Sequence, residues 1–147
     1  MFKHILIPTD GSPLAGKAVK AGIALAARLG ARVTGYCARE PMLRAHYGDS
    51  FILNRRMAAE LDQHSREDAA AAVEKIGKAA RAAGVPFTAL VTTENAPHEG
   101  IVAAARKRKC DAIFIASHGR GALGGFVLGS VTNKVLSHSK LPVVVYR

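Results

Sequence analysis

Ser117-His118-Gly119-Arg120 opens a stretch in which Gly119, Gly121, Gly124, Gly125 and Gly129 recur, and Ser130 closes it. Residues of these types in this order suit an anion. Glycines let backbone N–H groups come close to a ligand, and the free N–H groups and dipole at a helix start favour negative charge. The helix is at hand, because Val131-Thr132-Asn133-Lys134-Val135-Leu136-Ser137 can run on from Ser130. The apolar run Ile113-Phe114-Ile115-Ala116 leads in; it is too short for a helix and suits a strand buried on both faces. Together they read as a phosphate site. Gly124 to Ser130 has the outer spacing of a Walker A loop, but the lysine before the serine is absent. Arg120 or Lys134 offers positive charge, yet no residue stands out as a general base placed for attack. A binding protein with at most slow hydrolysis is therefore favoured over an ATPase.

A second polar turn, Thr9-Asp10-Gly11-Ser12, follows the first apolar run of the chain. Asp10 has a plain reading as a turn residue beside the cap Ser12, and a sharper one as a ligand contact if it faces the glycine loop. Ser130 and Thr132 can cap a helix, and a capped N-terminus and a phosphate site use the same donors. His118 is a base by type, but as a loop histidine with no evident partner it reads as structural or as a loose phosphate contact. The other histidines are dispersed without zinc-like spacing, which disfavours a protein metal site. Cys37 reads as a small apolar packing residue rather than a reactive thiol.

The elements that would position these groups alternate. Lys3–Thr9 reads as a first buried strand. Ser12 and Pro13 start a helix in which Leu14, Ala18, Ala21, Leu25 and Leu29 form one stripe, and Gly30 stops it. Ala31–Ala38 is a second strand, less apolar and so expected nearer an edge or partly open. Arg39 to about Leu53 has no clean period and reads as a loop, a candidate lid over a ligand pocket. Met57, Leu61, Ala69, Val73, Ile76 and Ala80 mark a helix from about Arg55 to Ala83, ended by Gly84. Val85–Thr92 is a third strand, with Pro86 suggesting an edge. Asn95 to His98 opens a helix whose apolar face is Ile101, Val102 and Ala105. Cys110–Ala116 is the fourth strand and Leu141–Arg147 the fifth.

This alternation predicts one α/β domain over 1–147, a parallel sheet with helices on both faces. The flavodoxin-like order 2-1-3-4-5 and the order 3-2-1-4-5 both fit five strands. In the second, strands one and four are neighbours, and Thr9–Ser12 would face Ala116–Gly119 across a crevice at their C-terminal ends.

Composition bounds the function. The 147 residues are 49% hydrophobic, which suffices for a real core, and 21 Lys and Arg against 11 Asp and Glu give a formal charge of +10. The densest basic cluster, Arg106 to Lys109, reads as the solvated last turn of a helix. Without aromatic interleaving or a recognised motif, it disfavours nucleic acid as a partner. No apolar run reaches the length of a membrane span, and Pro8 and Asp10 interrupt the N-terminal segment before it resembles a signal peptide. Cys37 and Cys110 form no CxxC pair, and a cytoplasmic setting is expected.

Over its whole length the chain resembles the universal stress protein family. The resemblance rests on Ile5-Leu6-Ile7-Pro8-Thr9-Asp10-Gly11-Ser12, the Ser117-His118-Gly119-Arg120 loop, the Leu128-Gly129-Ser130-Val131-Thr132 helix start and the closing Ser139-Lys140-Leu141-Pro142-Val143-Val144-Val145. It implies the order 3-2-1-4-5, a Rossmann-like sheet similar to that of adenine nucleotide alpha-hydrolases, a homodimer paired through the C-terminal strand (Leu141 to Arg147), and a stress-response role. Its ATP-binding members share the pattern G-x2-G-x9-G-[S/T]. The nine-residue spacing holds here between Gly119 and Gly129, Ser130 follows, and Ala116 replaces the first glycine. The resemblance implies ATP, with or without Mg2+, as the ligand. Asp10 would hold the ribose or adenine end, with Pro8 and Thr9 shaping that wall and Cys37 meeting adenine through its backbone. Gly119, Gly129, Ser130, Val131 and Thr132 would cradle the phosphates, beside Ala116, His118 and Arg120.

Three functions follow in order of preference. The first is an ATP-binding regulatory module whose surface is read by an unidentified protein partner. The second is a dimeric interaction protein with a vestigial pocket, its partner chosen by the basic surface. The third is a slow ATP hydrolase. A short apolar C-terminal strand at a sheet edge is an aggregation hazard unless a two-fold mate covers it, which favours the homodimer in all three.

Overall fold

The computed structural model describes residues 1–41, 55–119 and 128–147. Five strands, β1 (His4–Pro8), β2 (Arg32–Arg39), β3 (Phe87–Thr93), β4 (Ala112–Ala116) and β5 (Val143–Tyr146), form one parallel sheet in the order β3-β2-β1-β4-β5. Four helices connect them: α1 (Pro13–Leu29), α2 (Arg55–Ala82), α3 (Pro97–Lys107) and α4 (Ser130–His138). Of the two orders compatible with the alternation, the chain adopts the one in which β1 and β4 are neighbours.

The sheet is buried on both sides, and residue parity shows how. Ile5, Ile7, Ala112, Phe114 and Ala116 belong to the core under α1 and α2, whereas Leu6, Ile113 and Ile115 belong to the core under α3 and α4. Successive side chains on a strand point to opposite faces, so a strand covered twice must be apolar throughout. Each fully buried large aliphatic contributes about 1.5–3 kcal/mol.

Three expectations shift. β2 is paired on both sides, by β1 and β3, and its middle is fully buried, so it is internal rather than open. Its polarity has local explanations. Thr34 Oγ1 hydrogen-bonds His4 Nε2 at 2.8 Å, and Gly35 leaves room for Phe87 and Ile76. The face of α1 that sinks deepest is Ala15, Ala18, Val19, Gly22, Ile23 and Ala26, with Leu14, Ala21, Leu25 and Leu29 flanking it. Small residues win the central position because the helix lies close to the sheet: a Cβ on Gly22 would stand 2.8 Å from Ile7 Cδ1. On α2 the buried residues are Ala69, Val73, Ile76, Gly77 and Ala80, while Met57 and Leu61 are more than half exposed.

Other expectations hold. Ser12 caps α1 by accepting from Ala15 N at 3.2 Å, Pro13 follows at the first turn, and Gly30 closes the helix at φ 61°. β3 is an edge strand. Arg106 to Lys109 is exposed at the end of α3. Among the described residues no helix is long and apolar enough to cross a membrane. The proposed lid, Arg39 to Leu53, falls mostly outside the described residues, as do Arg120 and the middle of the glycine loop.

Candidate functional site

β1 and β4 end side by side, and the backbone beyond each turns outward at the same edge of the sheet. After β1, Gly11 takes φ 78°, Gly11 N donates to Thr9 Oγ1 at 3.1 Å, and Ser12 N donates to Asp10 Oδ1 at 2.9 Å. This turn fixes the Asp10 carboxylate before α1 begins. After β4, Ser117 N donates to Tyr146 O at 2.7 Å, and Ser117 O accepts from Gly129 N at 2.8 Å. The two ends of the glycine loop are thereby closed at their base.

Two glycines of the motif are explained by close approach. A Cβ on Gly119 would overlap Asp10 Oδ2, so the turns after β1 and β4 do meet and Asp10 does face the loop. A Cβ on Gly129 would lie 3.0 Å from His118 Cα, a backbone atom that cannot swing aside. Ser130 is the first residue of α4 rather than its cap. Gly129 occupies the cap, and among the described residues no side chain bonds the helix's first N–H groups. Thr132 does not cap either: its buried hydroxyl donates to Ala116 O at 2.8 Å and ties α4 to the end of β4. His118 has a partner the sequence did not show, Ser117 Oγ at 3.0 Å from Nδ1. Ala116 is buried, with its place in the aliphatic cluster beneath α1.

A cavity of about 810 Å³ opens at this edge. From the β1 turn it is lined by Pro8, Thr9 and Asp10, and from β2 by Tyr36 and Cys37. From the β4 turn come Ala116, His118 and Gly119, and from the start of α4 Gly129, Ser130, Val131 and Thr132. Of the ligand contacts that the family resemblance implied, all but Arg120, which lies outside the described residues, thus border one space. Tyr36 is held by a 2.7 Å bond between its hydroxyl and Thr92 Oγ1, and burial pushes its phenol up.

The sequence did not point to the opposite wall. It is the first half of α2, which presents Leu61, His64, Ser65, Asp68, Ala69 and Ala72 to the cavity. Arg39, at the end of β2, anchors that wall: Nη1 donates to Asp62 Oδ1 at 2.7 Å, and Arg66 Nε donates to Asp62 Oδ2 at 2.9 Å. Hydrogen bonds from Arg39 and Arg66 hold the Asp62 carboxyl below its usual value. A signal for this wall was present in the stripe of α2, where no apolar residue stands between Leu61 and Ala69 on a face that is otherwise aliphatic. Among the described residues no cluster of three His, Cys, Asp or Glu side chains is arranged to hold a metal ion.

A parallel, doubly wound sheet with a cavity where adjacent connections leave for opposite faces defines a class of α/β proteins that bind ligands beyond the carboxyl ends of their strands. Within that class the chain belongs to the universal stress protein family, whose model matches residues 1–147. It is 33% identical over 150 residues to a universal stress protein of Thermus aquaticus, with both chains fully covered. Its fold superposes on the structure of protein MJ0577 of Methanocaldococcus jannaschii with a TM-score of 0.80 at 29% identity, covering 99% of this chain and 95% of the other. A universal stress protein solved in complex with cAMP shares the fold with a TM-score of 0.72 at 22% identity, covering 99% and 97%.

Proposed function

We propose that the protein is an adenine-nucleotide-binding regulatory module, with ATP as the working ligand. The observation that carries this reading is the start of α4. Its cap is glycine, no side chain among the described residues occupies its first N–H groups, and it opens into the same cavity as Asp10 and Gly119. Backbone donors and a helix dipole left open in this way favour a phosphate. The cavity has the size of a small-molecule site, and the family likeness to a cAMP complex supports a nucleotide in it. Phosphates lie along Gly119, Gly129, Ser130, Val131 and Thr132. Ribose lies toward Asp10, and the base toward Cys37. Ala116 is compatible with this placement because it is taken up in the core under α1. Mg2+, where present, arrives with the phosphates, and the protein acts by binding rather than by catalysis.

The module works in the cytoplasm as a homodimer joined along β5, and nucleotide occupancy changes a surface read by a protein partner. Ser130→Asp tests the site with little risk to the fold. Ser130 is exposed at the first position of α4, where an acid complements the helix dipole while repelling a phosphate. The variant is expected to keep its melting temperature without ligand and to lose the shift given by millimolar ATP. An undiminished ATP shift would contradict the assignment. Gly129→Asp is a poorer probe, since the added Cβ presses on the His118 backbone and a loss of binding would be mixed with strain.

A further inference from the structure

The residues of α2 that border the cavity, Leu61, His64, Ser65, Asp68, Ala69 and Ala72, are three and four apart and share one side of the helix. Beyond Ala69 the same side is buried against the sheet as Val73, Ile76, Gly77 and Ala80. The chemistry of this side therefore changes where it leaves the sheet. Over the core it is aliphatic; over the cavity it carries an imidazole, a hydroxyl and a carboxylate.

Asp68 differs from the other acids of its helix. Glu60 accepts from Arg56 at 3.3 Å, Asp62 from Arg39 and Arg66, Glu67 from Gln63 at 2.8 Å, and Glu74 from Arg81. Among the described residues Asp68 makes no hydrogen bond or ion pair, although the chain carries a formal charge of +10. It is also the α2 carboxylate that borders the cavity. Its neighbour Ala69 packs in one cluster with Cys37 and Val73, which puts Asp68 on the Cys37 side of the site, away from the start of α4.

Resting on the nucleotide reading above, we propose that Asp68 is a specificity-determining residue that accepts a hydrogen bond from the exocyclic amine of the base, with Ser65 as the adjoining hydroxyl. An ionised carboxylate offers acceptors only. It rewards an amino group and opposes a carbonyl at the same place, so adenine is selected over hypoxanthine by attraction and repulsion together.

The test is a calorimetric comparison of ATP with ITP, whose base has a carbonyl where adenine has the amine, on the wild type, Asp68→Asn and Asp68→Ala. Asp68 is exposed on a helix, and both variants are expected to keep the melting temperature of the ligand-free protein. The wild type is expected to prefer ATP by about tenfold. Asp68→Asn, whose amide can donate to the carbonyl, brings the ratio close to one, and Asp68→Ala lowers it. A wild type that binds both equally, or a ratio unchanged in the variants, overturns the proposal. So does an equal weakening of both ligands, which would put the carboxylate on the sugar. If the wild type binds neither nucleotide, the nucleotide reading itself fails, an outcome distinct from the other three.

Discussion

At the scale of single residues, burial decides which titratable groups stay silent. His4 is 7% exposed at the start of β1, with Nε2 against Thr34 Oγ1 and Arg32 nearby. Burial first, and then the Arg32 charge, push its imidazole below the usual 6.5, against a smaller opposing pull from Asp111. The sign of the consequence follows. The unfolded chain takes up a proton at this residue near pH 6.5 and the folded chain only at lower pH, so the fold loses stability as pH falls below about 6.5. The melting temperature is expected to drop between pH 7 and pH 5, and His4→Gln, which keeps a polar partner for Thr34, is expected to flatten that slope. An equal slope in both proteins would exclude His4 as its source. Cys110 is a second silent group: burial pushes its thiol up to about 11, so at neutral pH it packs as the small apolar residue its setting requires. Asp10 and Gly119 show what a sequence can reveal at this scale. Their types marked two polar turns that face one another only if β1 and β4 are neighbours, and the missing Cβ of Gly119 is the space the carboxylate occupies.

At the scale of elements, strands were more legible than helix faces. β1 and β4 announce themselves because a strand covered on both sides must be apolar without interruption, and Ile5-Leu6-Ile7 and Ile113-Phe114-Ile115 are. The deep face of α1 was less legible, because apolar size marks the flanks of a close helix–sheet contact while Gly22 and alanines occupy its centre. Two glycines of α1 give a direct check. A Cβ on Gly22 would press on Ile7 and Phe114, whereas a Cβ on Gly16 would meet nothing within 4 Å. Gly22→Val is expected to destabilise the protein by about 1–3 kcal/mol through overpacking. Gly16→Ala is expected to stabilise it by about 0.5–1 kcal/mol through helix propensity. Denaturant unfolding of the two variants measures both, and a tolerated Gly22→Val would mean that α1 does not lie as close as described. The cavity wall on α2 was illegible for a related reason. His64, Ser65 and Asp68 look like a solvated face until the end of the sheet beneath them is known, since polarity alone does not separate water from a ligand.

At the scale of the whole molecule, order and edges matter most. The alternation of elements left two strand orders open, and only the one adopted brings Asp10 beside Gly119. That order also leaves β5 at an edge with Val143, Val144, Val145 and Tyr146 half-buried. An apolar edge of this kind is stabilised by pairing with a second copy. Gel filtration at micromolar concentration is expected to give a dimer, and a monomer would remove β5 from the account. The central claim is that the cavity between the β1 and β4 turns holds an adenine nucleotide. Its most direct test is calorimetric titration of the protein with ATP, with and without Mg2+, and with GTP for comparison. The account predicts saturable binding of ATP in preference to GTP, with stability rising by about 2.7 kcal/mol at a hundredfold excess over Kd. No heat and no thermal shift at millimolar ATP would contradict it.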